Sequence, residues 1–181
     1  MFEGLSESEI NEVVEYGIWR GKIIVISAFL VIALSAIMGI LTKGIIFLIC
    51  MCSLRRYAGG YHADTQSRCY VISFIVLILS LLWMKSVDNI GMNGITIQLF
   101  MLLILVFLAP VENKNRILDE AEKKKYGKKT RTTAIFLSLV YILMCELNKP
   151  EYAIPIETAF VVLTISLIVG FVKNRKNCET L

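Results

Sequence analysis

The sequence predicts an all-α membrane protein with about six transmembrane helices and an N-terminal amphipathic interfacial helix, the whole chain forming one integral membrane domain. Three observations carry this. Apolar types make up 56% of the 181 residues and mean hydropathy is +0.68, more than one small core hides from water. The apolar residues gather into long runs, which is the membrane pattern. The basic residues sort into alternate gaps between those runs, as cytoplasmic segments do.

Residues 1–21 read as a separate element. Ser6-Glu7-Ser8-Glu9 matches a capping box, and Ile10, Val13, Val14, Gly17 and Ile18 follow at helical spacing. Tyr16 and Trp19 fall where the chain meets the interface. A helix lying on the membrane is the plain reading; the alternative is that its acidic face docks a basic partner. Glu3, Glu7, Glu9, Glu12 and Glu15 stand where a cleavable secretory signal would carry positive charge. Insertion is therefore expected to rest on the later runs.

Six apolar segments follow, near 22–42, 44–54, 70–84, 95–111, 132–147 and 153–172. They place spans 1–2 in 22–54, spans 3–4 in 70–111 and spans 5–6 in 132–172. The first and last approach the roughly 20 residues a spanning helix needs. The second is short and is followed by polar residues 55–68, which leaves open either two tilted spans or a re-entrant pair. Gly59-Gly60 punctuates that break. With both termini cytoplasmic, of the 19 lysines and arginines only Lys43, Lys85 and Lys149 lie outside. The 112–131 segment then reads as a basic cytoplasmic loop and 173–181 as a basic tail. The result is a multi-pass protein of the cell membrane whose 55–69 segment faces the cytoplasm, where a thiol stays reduced. Glu157, near the start of the last run, reads as interfacial rather than as a proton relay.

The five cysteines form no disulfide framework and no zinc spacing: Cys50 and Cys52 share an apolar run, Cys145 ends another, and Cys178 sits in the tail. Only Cys69 lies in a polar segment between runs, and the chain's one histidine, His62, lies in the same segment. A nucleophilic cysteine needs a base or cation to lower its pKa, and histidine is the usual partner. Seven residues along a straight helix would hold the two roughly 10 Å apart, whereas proton transfer needs about 3 Å. A catalytic pair therefore requires the chain to bend back. Gly59 and Gly60 before His62, and Asp64, Thr65 and Ser67 after it, allow that. Cys69 immediately precedes the 70–84 run, in the first turn of a helix, where the dipole and Arg68 favour a thiolate. By chemistry alone the pair is not specific.

The stretch Arg55-Arg56-Tyr57-Ala58-Gly59-Gly60-Tyr61-His62-Ala63, with Cys69 seven residues after the histidine, resembles the signature of the accessory gene regulator B family. These are AgrB-like membrane cysteine endopeptidases of Gram-positive quorum sensing. Length, multiple spans and basic loops extend the likeness along the chain, although about fifteen residues carry its specific identity. The resemblance implies His62 and Cys69 as the catalytic pair, Gly59 and Gly60 as the family's glycines, and Arg55 or Arg56 as its upstream arginine. Asp64 is either an orienter of His62 or a turn residue. The implied substrate is an AgrD-like pro-peptide, cut through an acyl-enzyme thioester and leading to a thiolactone or lactone ring.

The basic loop has two readings. Topology alone accounts for it; alternatively Lys123, Lys124, Lys125, Lys128, Lys129 and Arg131 bind an acidic substrate tail or anionic membrane lipid. A net charge of +4 with no binding motif gives no reason to expect nucleic acid, and neither a cofactor nor a metal is expected. One histidine without HExxH disfavours a metalloprotease, and no GxSxG supports serine catalysis. A homodimer through the membrane helices is the expected assembly. The rivals are a transporter or peptide exporter, for which no paired half-repeats with broken helices are visible, and a structural partner using 55–69 as an ordinary loop. Both predict that Cys69→Ala leaves activity intact.

Overall fold

The computed structural model describes residues 7–60, 66–90, 93–111 and 119–179; for residues 7–20, 23, 66, 67, 69, 174 and 176–179 it describes the backbone alone. Each apolar segment of the sequence becomes a helix. In chain order these are α1 (Glu7–Ile37), α2 (Leu41–Ala58), α3 (Gln66–Ser86), α4 (Gly94–Leu108), α5 (Glu120–Glu146) and α6 (Pro150–Glu179).

Two boundaries differ from the sequence expectation. Helix α1 runs without interruption from Glu7 through Ile37, so the N-terminal helix is not separate from the first apolar run. Gly21 is the only weak helix former at the junction, and it costs about 1 kcal/mol against alanine. That is too little to stop a helix already propagating from both sides. At the other end of the chain, α5 begins at Glu120. Residues 120–131 of the expected basic loop are therefore the first three turns of a 27-residue helix. Asp119 caps it, its carboxylate accepting the Glu120 N–H at 2.8 Å.

The α1–α2 and α5–α6 connections are the same device. Ile40 N–H donates to Ser35 O at 2.8 Å and Gly39 N–H to Ala36 O at 3.1 Å, with Gly39 at φ 75°. Lys149 N–H donates to Met144 O at 2.9 Å and Asn148 N–H to Cys145 O at 3.0 Å, with Asn148 at φ 52°. Each is a Schellman closure with its left-handed residue filled by glycine or asparagine, the types that tolerate it. Beyond the first turn, Gly44 of α2 meets Ser35 of α1 so closely that a Cβ there would strike its side chain. Small residues permit such backbone approach.

Helix α6 is the hub. It packs on α2, α3, α4 and α5, while α1 rests on α2 and α3. Ala159, Phe160, Leu163 and Leu167 of α6 are fully enclosed by Leu54 and Ala58 of α2, Leu105 of α4 and Ala134 and Tyr141 of α5, among others. Residues Pro150–Lys173 of α6 are long and apolar enough to cross a membrane; Ile24–Ile37, Tyr70–Ser86 and Gly94–Leu108 are apolar but shorter. The outer surface of the bundle is also apolar. Phe29 of α1, Trp83 of α3, Phe100 and Phe107 of α4, and Phe136 of α5 all point outward, Phe107 being 81% exposed. A continuous apolar exterior of this kind marks a membrane or protein contact surface.

Polar contacts join the helices at both ends. Lys43 Nζ, in the first turn of α2, donates to Met84 O and Val87 O at 2.7 and 3.0 Å, filling carbonyls left open at the end of α3. The same end holds Gly94 of α4, which abuts the Tyr141 hydroxyl. That hydroxyl donates to Glu157 at 3.2 Å. Glu157 is thus half-buried where α6 meets α5. The opposite end gathers the exits of α2 and α4, the first turns of α5 and the second half of α6.

Candidate active site

The site is built on the way α2 stops. Helix α2 ends at Ala58, and Gly59 takes φ 75°, ψ −142°, a conformation that side chains with a Cβ avoid. The exit segment of α4 lies alongside. Val111 N–H donates to Ala58 O at 3.0 Å, and Gly59 and Val111 form an isolated parallel bridge. A Cβ on Gly59 would run into the Val111 carbonyl. Gly60 continues at φ 132°, and a Cβ there would stand 2.7 Å from Ser166 Oγ of α6. Both glycines are therefore required twice over, by backbone conformation and by close approach.

Arg55, one turn back on α2, donates from its guanidinium to the same Ser166 Oγ at 3.3 Å. Arg56 is exposed, and its guanidinium lies 5.6 Å from the Tyr57 ring centre. The two arginines thus have different surroundings: Arg55 points into the bundle toward α6 and Arg56 outward.

Tyr57 connects this corner to α5. Its ring centre lies 5.8 Å from that of Tyr126, and Lys129 Nζ sits 4.8 Å above it. Such contacts contribute roughly 0.5–1 kcal/mol at an exposed site. Of the six basic residues singled out on this segment, Lys129 is thereby beside the Gly59–Gly60 corner. Arg131 faces α4, its Nε donating to Val106 O at 3.2 Å among the last carbonyls of that helix. Lys123 pairs with Glu120 at 3.1 Å. Lys124, Lys125 and Lys128 are exposed. Gly127, buried between them, lets Pro110 of the α4 exit lie against α5.

Cys69 is the fourth residue of α3, which begins at Gln66, and so falls at the positive end of the helix dipole as the sequence expects. Arg68 is exposed beside it. His62 and Asp64 lie outside the described residues. The structure brings Arg55, Gly59, Gly60 and Lys129 to one corner. To these it adds Tyr57, Tyr126, Val111 and Ser166, none of which sequence reasoning assigned to the site. Tyr57 lay inside the recognised motif and had a signal; Ser166, a serine in an otherwise apolar run, had none.

Comparison with known proteins gives a consistent result. The family model described as accessory gene regulator B matches residues 3–172. The chain is 29% identical over 149 residues to AgrB-like protein 2 of Clostridium perfringens (strain 13 / Type A), covering 76% of this chain and 70% of that protein. It is 28% identical over 149 residues, with the same coverage, to an AgrB-like protein of Clostridium perfringens (strain SM101 / Type A). To AgrB-like protein 1 of strain 13 it is 24% identical over 135 residues, 72% of each chain. No solved structure matches. With a family model matching residues 3–172 of the 181, the protein belongs to the accessory gene regulator B family.

Proposed function

We propose that this protein is a multi-pass membrane cysteine endopeptidase that cuts a quorum-sensing pro-peptide at the cytoplasmic face. The observation that carries the reading is the corner itself. The glycines of the motif hold backbone conformations that residues with a Cβ rarely adopt, set against α4 and α6, while Cys69 falls in the first turn of the next helix. In a purely structural loop there is little reason to fix two successive residues in conformations closed to other side chains.

The Cys69 thiolate attacks the scissile carbonyl, and His62 protonates the departing amine. The product is an acyl-enzyme thioester and a released C-terminal tail. An internal thiol or hydroxyl of the bound acyl peptide then attacks the thioester, regenerating the Cys69 thiol and closing a thiolactone or lactone. Exchange of one thioester for another is nearly neutral in free energy, whereas forming a thioester from an amide is uphill. Departure of the tail draws the first step forward. Ring closure outruns hydrolysis when the site holds the internal nucleophile close and keeps water away.

The basic turns of α5 supply attraction for an acidic tail and for anionic headgroups. Six spans with both termini inside put this corner and those turns on one side of the membrane.

The test is co-expression with a candidate precursor peptide, following its mass with wild type, Cys69→Ala and His62→Ala at equal membrane levels. Shortening by wild type alone is the expected result, and a further loss of one water from the product reports ring closure by the same enzyme. Equal cleavage by both variants would remove the cysteine-histidine assignment.

A further inference from the structure

We infer that Arg56 of α2 and Lys129 of α5 together bind one carboxylate of the precursor's acidic tail, beside the Tyr57 ring. The inference rests on the endopeptidase reading above and names the part of the substrate that these two side chains recognise. Two cations from different helices converge on one ring: the Arg56 guanidinium carbon lies 5.6 Å from its centre and Lys129 Nζ 4.8 Å. The two charges are therefore no further apart than the sum of those distances. Both side chains are exposed, and neither forms an ion pair or hydrogen bond with any described residue. The acids of α5 stand elsewhere. Asp119 caps the helix, Glu120 pairs with Lys123, and Glu122 lies in the first turn, about two turns from Lys129.

Like charges at this spacing repel, and salt screens them only in part, the screening length being about 8 Å at physiological ionic strength. Attraction to the ring offsets little of that at an exposed site. An anion held by both cations replaces the repulsion with two attractions. The donors fit a carboxylate: the Arg56 fork pairs with both oxygens at once, and Lys129 adds a point charge from the α5 side. Attraction to a membrane surface needs only a number of cations, as exposed Lys124, Lys125 and Lys128 supply. Convergence of two from different helices on one point is what a single bound group needs. The position agrees. Tyr57 stands two residues before Gly59, whose backbone is fixed against Val111, so a carboxylate bound here tethers the tail next to the glycine corner.

The experiment measures kcat and KM for precursor cleavage by the full-length chain in vesicles of phosphatidylcholine, with and without phosphatidylglycerol. Wild type, Arg56→Gln, Lys129→Gln and Cys69→Ala are compared at equal protein level. Each acts on the precursor and on versions with every tail Asp or Glu changed in turn to its amide. With wild type, the change at one tail position is expected to raise KM about tenfold with kcat within about twofold. Arg56→Gln and Lys129→Gln each raise KM by a similar factor on the unchanged precursor. On either variant the change at that position adds no more than about twofold, because both alterations remove the same contact. The pattern is the same without phosphatidylglycerol. Wild-type KM in Arg56→Gln, or losses that multiply at every acidic position of the tail, would overturn the proposal while Cys69→Ala stays inactive. A defect in Arg56→Gln that appears only with phosphatidylglycerol also overturns it, by assigning the two cations to a lipid phosphate. Cleavage surviving in Cys69→Ala instead overturns the endopeptidase reading, and this inference with it.

Discussion

Val111 N–H donates to the carbonyl of Ala58 at 3.0 Å, so the exit of α4 closes the end of α2. A helix end leaves carbonyls without intrahelical partners, and here one of them is filled from a distant part of the chain. That bond anchors the glycine corner and makes its conformation a property of the bundle, not of the local sequence.

Gly59→Ala tests this anchoring. The new Cβ would meet the Val111 carbonyl at φ 75°, adding roughly 1–3 kcal/mol of strain. Precursor cleavage should fall about tenfold or more, by the same conversion of strain into rate, at equal membrane level. Gly21→Ala, where nothing lies within 4 Å of the added atom, should leave cleavage unchanged. Wild-type activity in Gly59→Ala would show that the corner tolerates a side chain.

Lys129 and Lys124 separate substrate attraction from bulk charge. Lys129 lies 4.8 Å over Tyr57, whereas Lys124 is five residues back and so about 140° round the helix. Lys129→Glu should raise KM by roughly tenfold with kcat little changed, the signature of lost uniform binding. Lys124→Glu should move KM by less than about threefold, since exposed charges are well screened. Equal effects would assign the attraction to net charge alone.

Gln98 and Ser138 give a stability prediction with a defined order. Gln98 Nε2 donates to Ser138 Oγ at 3.1 Å inside the α4–α5 contact, and Gln98 Oε1 is buried with no protein partner. Ser138→Ala strands the whole amide and should destabilise the protein by about 1–2 kcal/mol. Gln98→Leu removes the orphaned oxygen together with the bond and should be close to neutral, interhelical hydrogen bonds in membrane proteins averaging about 0.6 kcal/mol. Thermal unfolding in detergent would read the order, and greater stability in Ser138→Ala than in Gln98→Leu would contradict it.

Much of the architecture was legible from local pattern. Every apolar run became a helix, and the Gly59-Gly60 break ended α2 where the sequence placed it. The differences lie at junctions where charged residues border the apolar runs. Arg20-Gly21-Lys22 did not interrupt α1, and the lysines after Glu120 did not prevent α5. Lysine, glutamate and alanine are good helix formers, so a charged stretch with few breakers extends a neighbouring apolar helix beyond its hydrophobic part.

The sequence by itself determined the helices, the family resemblance and the cysteine and histidine proposed to carry its chemistry, because runs, breakers and reactive side chains are local properties. Tertiary structure decided which faces pack. Phe160 is fully buried while Phe107 is 81% exposed, yet both stand in apolar runs. Where the exterior is as hydrophobic as the interior, a helix carries no amphipathic stripe to distinguish them. For that reason the central place of α6, the seat of Lys129 on Tyr57, and the approach of Val111 and Ser166 to the glycines emerged only when the helices were packed together.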